Sequence, residues 1–465
     1  MLNKKIYYQD IFPFLSMILS LVFFFCTYYE IIVLKNINDF FIPVTLTVVL
    51  SMYIFIKNKN IISLGSSMFI YFYSMVTLLG VIISFPLFPE LVNLRSDLYM
   101  DFLNYPELNK AVSLSCIGIN TFVILTDIFS NVLRNKNYKK TKIIGGGLAS
   151  FSTKSTKKTK VLGNTALLLQ LFCLLYFLLF FLSSGYGSAY ADIHSQASSN
   201  GVYGRMLIVM VLSITTIFTV GTKKQMKLGI LIFIFLAFIH LSLGNRGEIY
   251  YPLLAILAIY HKRGGTFKLR TVLVGLFGSL LLISSIRLIR VDGNFSTLLD
   301  TFSPIKAVGE SIGEMGLQIS TVTYLLSYLN MGGKYQLGYS VVYSFQNFFS
   351  KYLSFLPNVD PLSPAAIRTV MPIDNVGFTN LGEAYFNFGL AGVILFYAVL
   401  SFYFVFADFK EQNVYFKIFN GMFLVWVLTW VRNSSSSMPS YMAWMILLLM
   451  IYYTVDKISS RLVIH

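Results

Sequence analysis

Apolar runs follow one another along the chain, each bounded by a short polar stretch. Crossing about 30 Å of hydrocarbon takes roughly 20 apolar residues as a helix, which meets its own backbone hydrogen bonds where there is no water. By that measure the sequence predicts about twelve spans, at 11–28, 40–56, 61–84, 111–129, 161–182, 206–220, 228–243, 249–260, 271–285, 386–407, 415–431 and 441–454. The run 249–260 is too short to cross alone, so it either reaches back past Gly247 or forms a hairpin with its predecessor. The expected fold class is all-α, a polytopic integral membrane protein.

Two polar segments break the even spacing and set the expected organisation. Residues 1–285 carry spans one to nine, with a loop at 130–160 that holds nine Lys/Arg and no acid. Residues 286–385 form a large extracytoplasmic region of helical character between spans nine and ten, and 386–465 carry the last three spans. Inside that region "QLGYSVVYSFQNFFSKYLSFL" (336–356) mixes aromatics with Ser, Gln and Asn, which suits a helix lying in the membrane interface better than a further span. No repeat of 20–50 residues is visible, so the pattern does not favour a transporter built from repeated halves.

Composition agrees: 56% of residues are hydrophobic, 12% are charged and the mean hydropathy is +0.70, outside the range of a domain with a water-facing surface. The net charge of +16 is a matter of sidedness. With the N-terminus placed in the cytoplasm, about 24 of the 36 Lys/Arg fall on that side and about 15 of the 20 acids on the other. Both termini are therefore expected in the cytoplasm, and the basicity does not point to nucleic acid. Cys26, Cys116 and Cys173 lie within spans, as small packing residues. The first span follows a basic start with no small-residue cleavage site after it, which reads as an uncleaved span. Gly145-Gly146-Gly147 lacks the Gly-Lys-Ser/Thr of a phosphate loop and fits a flexible basic anchor near anionic lipid.

The kind of cation on each face is informative. About 20 of the 24 inner cations are Lys, whereas about seven of the twelve outer ones are Arg: Arg95, Arg205, Arg246, Arg287, Arg290, Arg368 and Arg432. Topology needs only positive charge, but the planar guanidinium fork suits bidentate recognition of phosphate or carboxylate. Arg246, in "GNRGE" at the end of a span, sits beside Glu248, which is its alternative partner. Arg287 and Arg290 are three apart in "SSIRLIRVDG"; on one helical face they suit a diphosphate between them or a pair of headgroup anchors. Glu310 and Glu314 in "VGESIGEMG" share a face, and their proximity suits a general base or acid, or an ion pair with Arg287 or Arg290. In "GFTNLGEAYFNFGLAG", Glu383 stands among Phe378, Tyr385, Phe386 and Phe388, a setting for sugar rings or for an aromatic belt. No Asp-x-Asp is present, and His194, His240, His261 and His465 lack ligand spacing, so neither metal nor other cofactor is expected. His194 reads either as an auxiliary base or as a solvated loop residue.

These segments resemble the Wzy family of O-antigen and capsular polysaccharide polymerases: "GNRGE" closing a span, "GESIGEMG" and "GFTNLGEAYFNFGLAG" in the large loop, and the late "RNSSSS" turn, with the likeness clearest over 244–392. What the resemblance implies is metal-independent glycosyl transfer at the outer face of the bacterial plasma membrane between undecaprenyl-diphosphate-linked oligosaccharide units. A hydroxyl of one unit attacks the reducing-end carbon of the growing chain and releases undecaprenyl diphosphate. Membrane lipid, a chain-length regulator and a flippase are the implied partners. On that reading Arg246, Arg287 and Arg290 face the diphosphate, with Arg368, Arg432 and Tyr385 as further substrate contacts, and Glu310, Glu314 or Glu383 supplies the base or holds sugar. A glycan ligase of similar topology and a lipid-linked oligosaccharide flippase are the alternatives. The flippase fits less well, because Asp127 is the single acid found inside a predicted span.

Overall fold

A computed structural model describes residues 8–34, 37–57, 66–87, 103, 106–141, 157–183, 201–242, 247–263, 274–275, 277–278, 281, 303–351, 353, 355–357, 378–409 and 413–461. Every regular element among them is helical. We number the α-helices α1 (Tyr8–Tyr28), α2 (Phe41–Lys57), α3 (Ser66–Ser84), α4 (Glu107–Thr141), α5 (Lys157–Ser183), α6 (Gly201–Val220), α7 (Lys223–Ser242), α8 (Gly247–Lys262), α9 (Pro304–Gly316), α10 (Ile319–Asn330), α11 (Tyr339–Ser350), α12 (Asn380–Phe409), α13 (Val414–Arg432) and α14 (Met438–Arg461).

Among the described residues eight helical segments are long and apolar enough to cross a membrane, and Pro13–Tyr28 and Asn38–Ile54 are shorter apolar helices. The chain is thus a multi-pass helical membrane protein. The short run at 249–260 lies in a 16-residue helix that starts at Gly247 and contains Pro252, and residues 243–246, which would carry it past Gly247, lie outside the described residues. Of the predicted span 271–285, residues 274, 275, 277, 278 and 281 are described and the rest lie outside the described residues.

The helices gather into two compact units. The first comprises Met1–Gly146, Val308–Phe409 and Trp430–Met438. Its axis is α4, which packs against α1, α2, α3, α10 and α12. Gly118 of α4 makes the closest approach possible: a Cβ there would lie 2.6 Å from Tyr397 Cε2 and 2.9 Å from Leu381 Cδ1. Hydroxyls bridge the helices where hydrocarbon offers no other partner. Thr126 Oγ1 and Ser401 Oγ are 2.9 Å apart between α4 and α12. Asn120 Nδ2 donates to Ser20 Oγ at 3.2 Å, and Ser20 meets Thr47 at 2.6 Å, which joins α4, α1 and α2. Elsewhere in this unit α3 crosses α9 through bare backbone, with Gly80 against Ile312 O and Gly316 against Val81 N. Gly316 of α9 is thus in direct contact with the backbone of another helix. Cys116 is buried as expected.

The second unit comprises Gly147–Ala307, Lys410–Thr429 and Pro439–His465. Leu162, Leu212, Ile217, Phe233, Ile256, Met422, Met445 and Tyr452 form its core. Thr222 and Gln225 start α7 with a capping box: Gln225 Oε1 accepts from Thr222 N at 2.6 Å, and Thr222 Oγ1 accepts from Gln225 N at 3.3 Å. The same Gln225 reaches α5, donating to Lys160 O and Asn164 Oδ1 at 2.8 and 2.6 Å. Arg263 closes the far end of α6 by donating to Phe218 O at 2.8 Å and Gly221 O at 2.9 Å. Those are carbonyls that a helix terminus leaves unmet, and the cation also suits the helix dipole. Burial pushes the Arg263 pKa below its ordinary value. Arg263→Met is expected to lower stability by about 1.5–3 kcal/mol, the range for bonds to a charged group. A fall in the detergent-solubilised melting transition checks it.

A candidate site around Glu383

Glu383 lies in the first turn of α12, where the aligned peptide dipoles favour a negative charge. It is 1% exposed. A carboxylate buried that deeply must find donors or lose its charge, and here it finds four. Ser340 Oγ of α11 donates to Oε1 at 2.8 Å, and Ser435 Oγ donates to the same oxygen in a short contact. Trp430 Nε1 and the Ser435 backbone N–H each donate to Oε2 at 2.8 Å. Two oxygens offer about four lone-pair sites, so the carboxylate is saturated.

These bonds tie together the start of α11, the start of α12, the last turn of α13 and the 3₁₀ turn Ser435–Ser437. A second layer locks them. Asn387, one turn after Glu383, donates to Ser340 Oγ at 2.8 Å and to Glu383 O at 2.9 Å, while its Oδ1 accepts from Gly338 N at 2.9 Å. Ser344 Oγ lies 3.3 Å from Ser435 Oγ.

Immediately beyond, α12 is broken. Phe388 and Gly389 leave helical geometry, with Gly389 at φ 62°. Only glycine adopts that backbone region at no steric cost. The break takes the Phe386 and Asn387 carbonyls out of the helical ladder. Gln336 N and Leu337 N supply the replacement bonds, at 2.9 and 3.1 Å. The strap before α11 and the elbow in α12 therefore make one another's hydrogen bonds.

Tyr385 is two residues from Glu383 and bonds elsewhere. Its hydroxyl is 2.7 Å from that of Tyr28, and its ring stands 6.1 Å from that of Tyr335. Beside Tyr28, the exposed Glu30 pairs with the half-buried Lys110 at 2.7 Å, and the hydrogen bond and charge of the ammonium hold the carboxyl below its usual range. The pair contributes above the ordinary carboxylate pKa and is lost as pH falls through the lowered one.

Of the residues singled out by sequence, Glu310, Glu314, Glu383, Tyr385 and Arg432 belong to one compact unit. Arg432 is half-buried and stands in the chain between Trp430 and Ser435, both of which hold Glu383. Glu314 is half-buried on α9. Glu310 is on the same helix, with its side chain outside the description. Arg246, Arg287, Arg290, Arg368 and His194 lie outside the described residues. Ser340, Asn387, Trp430 and Ser435 were not singled out from sequence. The signals available were the i,i+4 spacing of Glu383 and Asn387 and the run of serines after Arg432. Among the described residues no three His, Cys, Asp or Glu side chains gather as a metal-binding set.

A multi-pass helical protein with a buried carboxylate knotted to the ends of its apolar helices is the class that fold and site define. The family model for the O-antigen polysaccharide polymerase Wzy matches residues 13–461. The chain belongs to that family and is an O-antigen or capsule repeat-unit polymerase. It is also similar to Protein CapE of Staphylococcus aureus, 23% identical over 411 residues that cover 86% of either chain. No solved structure matches it.

Proposed function

We propose that the chain joins oligosaccharide units carried on undecaprenyl diphosphate, at the extracytoplasmic face of the bacterial plasma membrane, without a metal ion. The region 286–385 lies on that face and both termini on the other. The observation that carries this reading is the Glu383 knot itself. It fixes the turn that contains Arg432, in a family whose members polymerise polysaccharide, and diphosphate is a leaving group that needs cationic stabilisation.

Because four donors already occupy the Glu383 oxygens, we assign it to positioning and leave proton removal from the attacking hydroxyl to Glu310 or Glu314. Arg246, Arg287 and Arg290 take the diphosphate, Arg368 and Arg432 assist, and Tyr385 lines the sugar side. A flippase that delivers the units and a chain-length regulator are the partners this chemistry calls for.

The test is purified protein incubated with its lipid-linked repeat unit, with and without chelator. A ladder of lengthening glycan unaffected by chelator is expected. A single transfer to a different lipid would instead make it a ligase. Arg287→Ala and Arg290→Ala are each expected to lower elongation at least about 100-fold, the loss of roughly 2.7 kcal/mol of transition-state stabilisation, with the protein still present in the membrane. Full ladders from both variants would remove the diphosphate assignment.

A further inference from the structure

Helix α11 is amphipathic the wrong way round for water. Its inward residues are Ser340 and Ser344, both buried, whereas Tyr339, Val342 and Phe349 are exposed at 53%, 54% and 46%. Positions 339, 342, 346 and 349 recur at helical spacing and so share one face. The polar member of that face, Gln346, donates one amide N–H to Pro357 O at 3.1 Å, so the amide is tied within the chain. Tyr339 and Tyr343 stack with centroids 5.4 Å apart, and Leu337, Leu353 and Phe355 extend the exposed apolar surface beyond both ends.

The inner face fixes where this helix lies. Ser340 bonds Glu383 near the start of the span Asn380–Asp408, and Ser344 meets Ser435 at the start of the span Ser435–Arg461. Glu383 in turn holds Trp430 near the end of the span Val414–Arg432. The termini of spanning helices mark the membrane surface, so α11 is pinned at that depth by three of them. Twelve residues rise only about 18 Å, too little to cross.

We propose that α11 is an in-plane helix seated in the lipid interface, with its Tyr339–Val342–Phe349 face in the acyl region and its serine face holding Glu383 at headgroup depth. Tyrosine is suited to that zone, and the exposed Lys351 at the C-terminal end of the helix supplies the cation that anionic headgroups attract. The lipid surface is the occupant, because the patch is apolar with its one amide tied internally and stands where bilayer begins. This seat is independent of the assignment of donor and base above.

Spin labels at Val342→Cys and Phe349→Cys, in a Cys26→Ala background, place the helix in nanodiscs of phosphatidylethanolamine and phosphatidylglycerol. Collision rates with oxygen and with a water-soluble nickel chelate are compared with those at Lys334→Cys, an exposed position on the strap. Tyr339→Cys gives a third position should either label disturb the fold. Oxygen is expected to win at 342 and 349 and the chelate at 334, a reversal of sign in the logarithm of the ratio. Chelate access at 342 and 349 equal to that at 334 would overturn the seat. So would shielding from both reagents, which would mean that protein covers the face.

Discussion

Glu383→Ala is expected to abolish elongation and to lower the stability of the first unit. Two of its four donors cannot turn away: the Trp430 indole N–H is fixed by its ring and the Ser435 N–H by the backbone. Each buried donor left without a partner costs about 1–3 kcal/mol, so the two together cost roughly 2–6 kcal/mol. The serine hydroxyls of Ser340 and Ser435 can rotate to other acceptors and add less. Glu383→Gln separates geometry from charge. With its oxygen toward Trp430 and the Ser435 amide, its NH2 can donate to the two hydroxyls, so the fold should persist with a melting transition near that of the parent. Elongation should still fall about tenfold, corresponding to about 1.4 kcal/mol, because the turn that carries Arg432 loses its charge-assisted bonds. Wild-type ladders from both variants would show that the knot has no bearing on catalysis.

Gly316→Leu should be the most damaging substitution outside that knot. The helix crossing at this point is backbone against backbone: a Cβ on Gly316 would overlap Val81 N and the backbone of Gly80. Overpacking a core typically costs 1–3 kcal/mol when side chains can shift, and here no side chain is available to yield. The expected loss is about 3 kcal/mol or more, read as reduced protein in the membrane and a lower melting transition. Gly204→Ala is the control. Nothing lies within 4 Å of the added carbon in α6, and alanine at a helical glycine contributes about 0.5–1 kcal/mol.

The all-helical, membrane-spanning character was legible because a bilayer leaves few choices, although eight helices among the described residues qualify as spans against about twelve expected. Backbone groups in hydrocarbon must be met locally, so an apolar run such as 161–182 reads directly as the helix Lys157–Ser183. The helix Gly247–Lys262 shows where this stops: it is 16 residues long, and run length alone does not say how such a segment sits. The site was half legible. Glu383 stood out because a carboxylate among aromatics near a span is costly, whereas the groups that meet it are serines, an indole and a peptide N–H drawn from positions 340, 430 and 435. Such donors are common in any membrane helix, and only the folded backbone reveals which of them converge. Likewise, the spacing of Glu310 and Glu314 is a helical property that sequence shows well, but the partner of the neighbouring Gly316 is α3, more than 200 residues earlier in the chain.

The break in α12 has a mechanical corollary. Straightening it would return the Phe386 and Asn387 carbonyls to Leu390 and Ala391 and strand the amides of Gln336 and Leu337, while Gly389 would have to leave its left-handed backbone. Two interlocked losses oppose that motion, so the bend acts as a rigid bracket rather than a hinge. Any opening that admits a bulky glycan must come from elements other than this one.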